Sequence, residues 1–201
     1  MPPIAIPIYF DYASTLCYVA WRIVGELEPE LGFQALWKGV PIALRDHRAK
    51  AGRALGELER QKVLMVSAET GISVAPPARW MDSRAALEGA EVARDAGAFR
   101  EYHDKVFHAA FEEGVDIADL EVLESIARSS GINSAQFRAA LQTHQMAPRI
   151  EEYRREADEF SALGYPTFIL GDYPLIGIQP IATMRQVFTR FIRQRRTEPQ
   201  A

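Results

Sequence analysis

Hydrophobic positions along the chain predict strands at its two ends and helices between them. Residues Ile4–Phe10 form an apolar, aromatic-rich run interrupted by one proline, which is typical of a buried strand. From Thr15 to Leu31 apolar residues recur at helical spacing, and Gly32 follows as a stop signal. A second strand over Phe33–Trp37 completes a β-α-β unit, which favours two parallel strands joined by a right-handed crossover.

The middle of the chain carries helical patterns only, after a loop predicted over Gly39–Gly56. These patterns cover Leu58–Glu69, Ser83–Ala96, Phe99–Phe111, Leu120–Ser129, Ala135–Gln142 and Arg149–Leu163. Strand character returns over Thr167–Leu170 and Tyr173–Ile176, with a hairpin turn at Gly171-Asp172, and a helix follows over Ile181–Ile192. We therefore expect an α/β protein with a four-stranded mixed sheet, formed by residues 1–56 and 164–201, and an all-helical insertion over residues 57–163.

Composition and charge narrow the function classes. The chain is 48% apolar and carries a formal charge of −4, so it has material for a core and no basic field to attract nucleic acid. The apolar run at the start is too short to span a bilayer and lacks a signal-peptide pattern, so we expect a soluble, cytoplasmic protein without a membrane partner. One cysteine, Cys17, excludes an internal disulfide and a multi-cysteine metal site, and we expect no metal.

Chemistry is concentrated where the first strand meets the first helix, at Ser14-Thr15-Leu16-Cys17. A helix N-terminus presents unpaired N–H groups and the positive end of the helix dipole, and both stabilise a thiolate. Ser14 lies nearest the cap, and Cys17 lies one turn inside the helix. The alternative is structural: Ser14 only caps the helix, and Cys17 is a small buried hydrophobe.

A second signal is Gly164-Tyr165-Pro166-Thr167, immediately before a strand. A proline there is either a trans residue that starts an edge strand or a cis residue that holds backbone groups open to a ligand.

Together these features resemble the DsbA-like branch of the thioredoxin superfamily over almost the whole chain, which implies a thioredoxin-like fold. Members of that branch typically carry Cys-x-x-Cys at the junction, facing a cis-proline loop. Here Ser14 and Cys17 occupy the two cysteine positions. A single thiol cannot cycle between a dithiol and an internal disulfide, so a dithiol oxidase is excluded.

The stretch Asp11-Tyr12-Ala13-Ser14 is similar to the Asp-x-x-Ser of 2-hydroxychromene-2-carboxylate isomerases and kappa-class glutathione transferases. That resemblance implies glutathione as cofactor and Ser14 as the catalytic residue that stabilises its thiolate. It also implies a backbone clamp at Tyr165, Pro166 and Thr167. Asp82-Ser83-Arg84 resembles an Asn-Ser-Arg stretch of the isomerases, which implies that these three residues line the substrate pocket.

Two positions depart from the isomerase pattern. Thr15-Leu16-Cys17 stands where that subgroup has Pro-Tyr-Ser, and Gln179 stands where it has the acidic residue that holds the amino end of glutathione. Gly177-Ile178-Gln179 is instead similar to the Gly-Ala-Gln of FrnE-like oxidoreductases.

Three hypotheses follow. The first is a thiol-dependent oxidoreductase or isomerase in which Ser14 holds a small thiol, with glutathione and an electrophilic or disulfide substrate as partners. The second is a monothiol reductase that acts through Cys17 and needs a low thiol pKa. The third is a non-catalytic protein that binds peptides beside Pro166. Relatives often dimerise, which leaves a homodimer open.

Overall fold

A computed structural model describes residues 3–42, 50–162 and 164–197 of the 201-residue chain. Its strands are β1 (Ile4–Phe10), β2 (Phe33–Gly39), β3 (Thr167–Leu170) and β4 (Tyr173–Ile176). The helices of these residues are α1 (Thr15–Leu31), α2 (Glu57–Thr70), α3 (Arg84–Asp95), α4 (Phe99–Phe111), α5 (Leu120–Ser129), α6 (Ser134–Gln142), α7 (Ala147–Glu159) and α8 (Ile181–Thr197). Part of the predicted loop over Gly39–Gly56 lies outside the described residues.

The four strands form one mixed sheet in the order β2-β1-β3-β4. β1 and β2 are parallel, with Ile4 opposite Phe33 and Phe10 opposite Gly39. β3 is antiparallel to both β1 and β4, and the β3–β4 hairpin turns at Gly171, which has a positive φ of 69°. The predicted α/β class, the β-α-β unit and the closing hairpin are therefore confirmed.

Two helix ends differ from the predictions by more than two residues. α7 ends at Glu159 because Ser161 adopts a positive φ of 53° and the N–H of Ala162 returns to the carbonyl of Ala157 at 2.9 Å. This is a helix stop of the left-handed type without the usual glycine. The predicted endpoint, Leu163, lies outside the described residues. α8 continues past Ile192 to Thr197, where Arg195 and Arg196 complement the negative end of the helix dipole.

β1 divides the core because its side chains alternate between the two faces of the sheet. Ile6, Ile8 and Phe10 belong to the large hydrophobic cluster that contains the buried face of α1 and much of the helical segment. Tyr9 belongs to a smaller cluster on the opposite face, with Ala157 of α7 among its members. Burial on both faces makes β1 a rigid support for the residues that follow it.

The helical segment packs directly on this sheet. The ring of Phe107 on α4 lies 4.9 Å from that of Tyr12 and 6.2 Å from that of Phe10. The large cluster thus includes residues from both sides of the predicted boundaries at 56/57 and 163/164, and those boundaries stay predictions. Among the described residues, no helix combines the length and apolarity needed to cross a bilayer.

Candidate active site

Ser14 begins α1 and faces a second segment from the other end of the chain. Its backbone is extended, with φ −100° and ψ 117°, and its Oγ accepts a hydrogen bond from the N–H of Cys17 at 3.3 Å. The same hydroxyl donates to the carbonyl oxygen of Tyr165 at 3.4 Å. Ser14 is half-buried, so its hydroxyl lies at the positive end of the helix while part of the residue remains open to solvent.

Asp11 fixes the short loop that presents Ser14. Its buried carboxylate accepts the N–H of Ala13 at 2.8 Å and the N–H of Ile42 at 2.5 Å. Its carbonyl accepts the N–H of Ser14 at 3.1 Å. An aspartate that binds the N–H two residues ahead forms a local turn, and the bond to Ile42 ties that turn to the segment after β2. The loop is therefore held at both sides of the β1–α1 junction.

The Tyr165–Pro166 peptide bond is cis, as the resemblance predicts. Pro166 is buried, and its carbonyl accepts the N–H of Gly177 at 2.7 Å, which joins the cis-proline loop to the turn after β4. Burial raises the pKa of Tyr165 to about 12, so its hydroxyl stays protonated at neutral pH. The loop thus presents the Tyr165 carbonyl to Ser14 from a fixed position.

Cys17 lies beneath this junction and is fully buried, with 0% of its surface exposed. Burial raises the pKa of its thiol to about 12, although hydrogen bonds with Ser14 and with the N–H of Asp11 act in the opposite direction. The monothiol hypothesis requires an accessible thiol of low pKa, and Cys17 has neither property. The structural alternative, a small buried hydrophobe, describes Cys17 better.

A buried pair that the sequence analysis does not predict supports the same loop. The hydroxyl of Tyr12 lies 2.7 Å from Nδ1 of His103 on α4, and both side chains are fully buried. Burial, together with the charges of Arg94 and Arg100, holds the pKa of His103 well below its usual value, so the imidazole is neutral. Helical spacing places position 103 on the apolar face of α4, and that placement is the one sequence signal that indicates burial.

Two clefts flank the Ser14 loop. The first, of about 210 Å³, is lined by Asp11, Met81 and the predicted triplet Asp82-Ser83-Arg84. Arg84 forms a bidentate ion pair with Asp82, and Ser83 is buried before the first turn of α3. The structure therefore brings this triplet and Asp11 together in the lining of one cleft.

The remaining predicted residues are placed differently. Gln179 is exposed, two residues after Gly177, whose N–H binds the carbonyl of Pro166 in the cis-proline loop. Thr167 is fully buried in β3, and its hydroxyl donates to the carbonyl of Gly164. The Thr167 side chain therefore stabilises the turn before β3, and the role of its backbone in the predicted clamp stays a prediction.

The second cleft, of about 300 Å³, is lined by residues that the sequence analysis does not single out, among them Lys50, Lys62, Arg79 and Trp80. They come from separate segments and share no periodicity. Ala13 and Thr15, the neighbours of Ser14, line the same cleft. The Ser14 loop thus separates two clefts of different charge.

Among the described residues, no group of three or more histidine, cysteine or acidic side chains is arranged to hold a metal ion. The chemistry that this arrangement supports is the stabilisation of an anion at the start of α1. A hydroxyl donor, the helix dipole and a carbonyl acceptor converge there.

Comparison with known proteins places this geometry in context. The sequence profile described as DSBA-like thioredoxin domain matches residues 5–189. The uncharacterized protein YwbO of Bacillus subtilis (strain 168) is 25% identical over 197 residues, which cover 93% of this chain and 94% of YwbO.

Two solved structures share the fold. A 2-hydroxychromene-2-carboxylate isomerase superimposes with a TM-score of 0.74 and 23% identity, covering 96% of this chain and 98% of the isomerase. The cytosolic disulfide reductase DsbM from Pseudomonas aeruginosa, solved with GSH, superimposes with a TM-score of 0.72 and 16% identity, covering 97% of this chain and all of DsbM.

Proposed function

The chain belongs to the family of DSBA-like thioredoxin domains, and from this premise we propose that it binds glutathione, or a similar small thiol, as a thiolate at Ser14. The observation that carries the proposal is the position of the Ser14 hydroxyl. It lies at the N-terminus of α1 and within 3.4 Å of the carbonyl that precedes the cis-proline. The likeness to a disulfide reductase solved with GSH supports the same ligand.

The proton of the Ser14 hydroxyl has two acceptors in this scheme. In the structure it is directed to the Tyr165 carbonyl, while the oxygen accepts from Cys17. When a thiolate arrives, the hydroxyl rotates its proton to the sulfur, and the N–H groups of the first turn add the positive end of the dipole. The carbonyl of Tyr165 is then released to accept an N–H of the ligand's own backbone.

The single, buried cysteine favours addition to carbon over disulfide exchange. Cys17 is the only cysteine and is inaccessible, so the protein supplies no second thiol to resolve a mixed disulfide. In the proposed reaction the bound thiolate adds to the electrophilic carbon of a conjugated C=C bond. A C–S bond forms, the π bond breaks, and its electron pair moves to the conjugated carbonyl oxygen. For an isomerisation, elimination then breaks the C–S bond and returns the electron pair to sulfur, so glutathione is regenerated without net oxidation.

Calorimetric titration with reduced glutathione tests the proposal. We expect Ser14→Ala to weaken binding by roughly tenfold or more, because a hydrogen bond to a charged group contributes about 1.5–3 kcal/mol. S-methylglutathione, which has no thiol proton to lose, should bind both proteins equally.

The matched control is Asn133→Ala. Asn133 caps α6 as Ser14 caps α1, accepting the N–H of Gln136 at 3.0 Å, but it lies far along the chain from the junction. Asn133→Ala should reproduce the stability cost of a lost cap without weakening glutathione binding. Equal glutathione affinity in wild type and Ser14→Ala, or no binding by wild type, would contradict the proposal.

A further inference from the structure

The hydrogen bonds of the Ser14 hydroxyl are long. Its Oγ lies 3.3 Å from the backbone nitrogen of Cys17 and 3.4 Å from the carbonyl oxygen of Tyr165. Hydroxyl groups donate most often over about 2.7–2.8 Å, so contacts of this length restrain the hydroxyl weakly. Its position therefore depends on the Ser14 loop, residues 11–14, and on the contacts that anchor this loop.

Tyr12 anchors the Ser14 loop to α4. Its hydroxyl lies 2.7 Å from Nδ1 of His103, and both side chains are fully buried. The next residue on α4, Asp104, accepts a hydrogen bond from Nε1 of Trp21 at 2.7 Å. Two consecutive residues of α4 thus bind the loop before α1 and the second turn of α1. As a result, α4 holds the loop and the helix in a fixed relation to each other.

His103 is itself held in place by aromatic rings. Its ring centroid lies 4.6–5.0 Å from those of five neighbours, namely Phe10, Trp21, Trp37, Phe99 and Phe107. A side chain packed this closely on several sides has few alternative rotamers, because protein interiors are close-packed. Nδ1 of His103 is therefore a fixed point to which the Tyr12 hydroxyl binds.

The direction of this hydrogen bond follows from the proton count. Burial keeps both groups neutral, because it raises the pKa of Tyr12 and lowers the pKa of His103. If Nδ1 carried the proton, the Tyr12 proton and the Nε2 lone pair would both lack partners among the described residues. If Tyr12 donates to Nδ1, the Nε2–H alone lacks one. Tyr12 is therefore the donor, and His103 is the Nε2–H tautomer.

We propose that His103 is a positioning residue for the thiolate site: it accepts the Tyr12 proton and thereby holds the loop where Ser14 reaches the ligand's sulfur. This inference rests on the glutathione function proposed above. A hydroxyl displaced by part of an ångström forms a weaker hydrogen bond with a thiolate. Loss of the Tyr12–His103 bond should therefore reduce the preference of the site for a thiol over a thioether.

Tyr12→Phe removes the bond and keeps the ring, which lies 5.0 Å from that of Phe10 and 4.9 Å from that of Phe107. The measurement is the ratio of the calorimetric affinities for reduced glutathione and S-methylglutathione. In Tyr12→Phe this ratio should fall at least about threefold, which is part of the roughly tenfold fall expected for Ser14→Ala. His103→Phe removes the acceptor and should have the same effect. An unchanged ratio in Tyr12→Phe would overturn the proposal.

Tyr102→Phe is the matched control. Tyr102 is the residue before His103 on α4, is fully buried, and donates its hydroxyl to the carbonyl of Ala86 on α3 at 3.4 Å. Its hydroxyl thus binds α3 and not the Ser14 loop, so Tyr102→Phe should leave the affinity ratio unchanged. A fall as large as that in Tyr12→Phe would overturn the proposal, because any loss of a buried bond on α4 would then weaken the site.

The double variant Tyr12→Phe/His103→Phe separates positioning from a purely structural role. It replaces the polar pair by two apolar rings, so it should lose less stability than the two single variants together. The affinity ratio should nevertheless stay as low as in Tyr12→Phe, because the bond that holds the loop is still absent. A ratio restored to that of wild type would show that stability alone matters, and it would overturn the positioning role.

Amide hydrogen exchange tests the anchoring of the loop without glutathione. The N–H groups of Ala13 and Ser14 bind the carboxylate and the carbonyl of Asp11. In Tyr12→Phe, but not in Tyr102→Phe, both should exchange at least about threefold faster relative to the rest of the chain. Exchange at the wild-type rate would overturn the proposal. If the wild-type protein does not bind glutathione, the function proposed for Ser14 fails, while the exchange rates still decide whether His103 positions the loop.

Discussion

Removal of the Ser14 hydroxyl should raise the pKa of bound glutathione while leaving the helix dipole in place. An unperturbed cysteine thiol has a pKa of about 8.5. The dipole contributes about 0.3–1 kcal/mol in favour of a thiolate, and the hydroxyl, as a donor to a charged acceptor, about 1.5–3 kcal/mol. Since about 1.4 kcal/mol corresponds to one pKa unit, the bound thiol in wild type should titrate near pH 6–7 and that in Ser14→Ala near pH 8.

Ultraviolet absorbance of the thiolate measures this pKa. Cys17 is the only protein thiol, so a Cys17→Ala background leaves glutathione as the sole source of thiolate absorbance. The titration is carried out with glutathione bound to the Cys17→Ala protein and to Cys17→Ala/Ser14→Ala. Ser14→Thr in the same background keeps a hydroxyl and should keep the low pKa, although its added methyl group narrows the space beside Tyr165.

An unchanged pKa in Ser14→Ala would refute this account of the site. It would mean that the hydroxyl keeps its bond to the Tyr165 carbonyl when ligand binds, as it does in the structure. If the pKa of bound glutathione is near 8.5 in both proteins, the helix N-terminus does not stabilise the thiolate either.

Three further predictions concern the buried groups beneath Ser14. Iodoacetamide should alkylate native Cys17 about a thousandfold more slowly than the urea-unfolded chain, because burial raises its pKa to about 12; equal rates by mass spectrometry would contradict this. The native state therefore binds the Cys17 thiol proton more tightly than the unfolded state does. As a result, the free energy of unfolding should fall above about pH 8.5, by up to about 1.4 kcal/mol per pH unit. In urea titrations, Cys17→Ala should remove the part of this fall that comes from the thiol. Tyr12→Phe should lower the free energy of unfolding by about 1–3 kcal/mol, because it leaves Nδ1 of His103 unpaired. The double variant Tyr12→Phe/His103→Phe should lose less stability than the sum of the two single variants. If the two losses simply add, the pair is not coupled.

Most of the fold can be predicted from the sequence because the residues that end its helices and form its turns give local signals. Gly32 ends α1 with a φ of 66°, and Gly171 turns the β3–β4 hairpin, so both boundaries have a residue-level signal. The end of α7 lacks one, since Ser161 takes a left-handed conformation that serine rarely adopts. Helical periodicity likewise cannot show where the cationic end of α8 stops, because arginines are good helix formers and suit a helix C-terminus.

In the candidate site, too, some residues have a local sequence signal and others do not. Ser14 and Pro166 stand at a strand–helix junction and a strand start, so local pattern and family resemblance both indicate them. Thr167 is different: β3 has neighbours on both sides and is buried on both faces, so strand alternation cannot tell a ligand-facing residue from a core residue. The second cleft depends on residues brought together only by tertiary structure, which no spacing rule along the chain describes.

Serine at position 14 and a buried cysteine at position 17 have one consequence when considered together. A hydroxyl at the helix N-terminus can donate a proton to sulfur but cannot itself become a thiolate near neutral pH. The protein's own sulfur lies one turn deeper, fully buried and with a raised pKa. The positive end of α1 therefore has no protein thiolate to stabilise, although a hydroxyl, a dipole and a backbone carbonyl remain arranged around it. If this junction performs thiol chemistry, the reacting sulfur has to arrive on a ligand, and the two flanking clefts are the space in which its partner can bind.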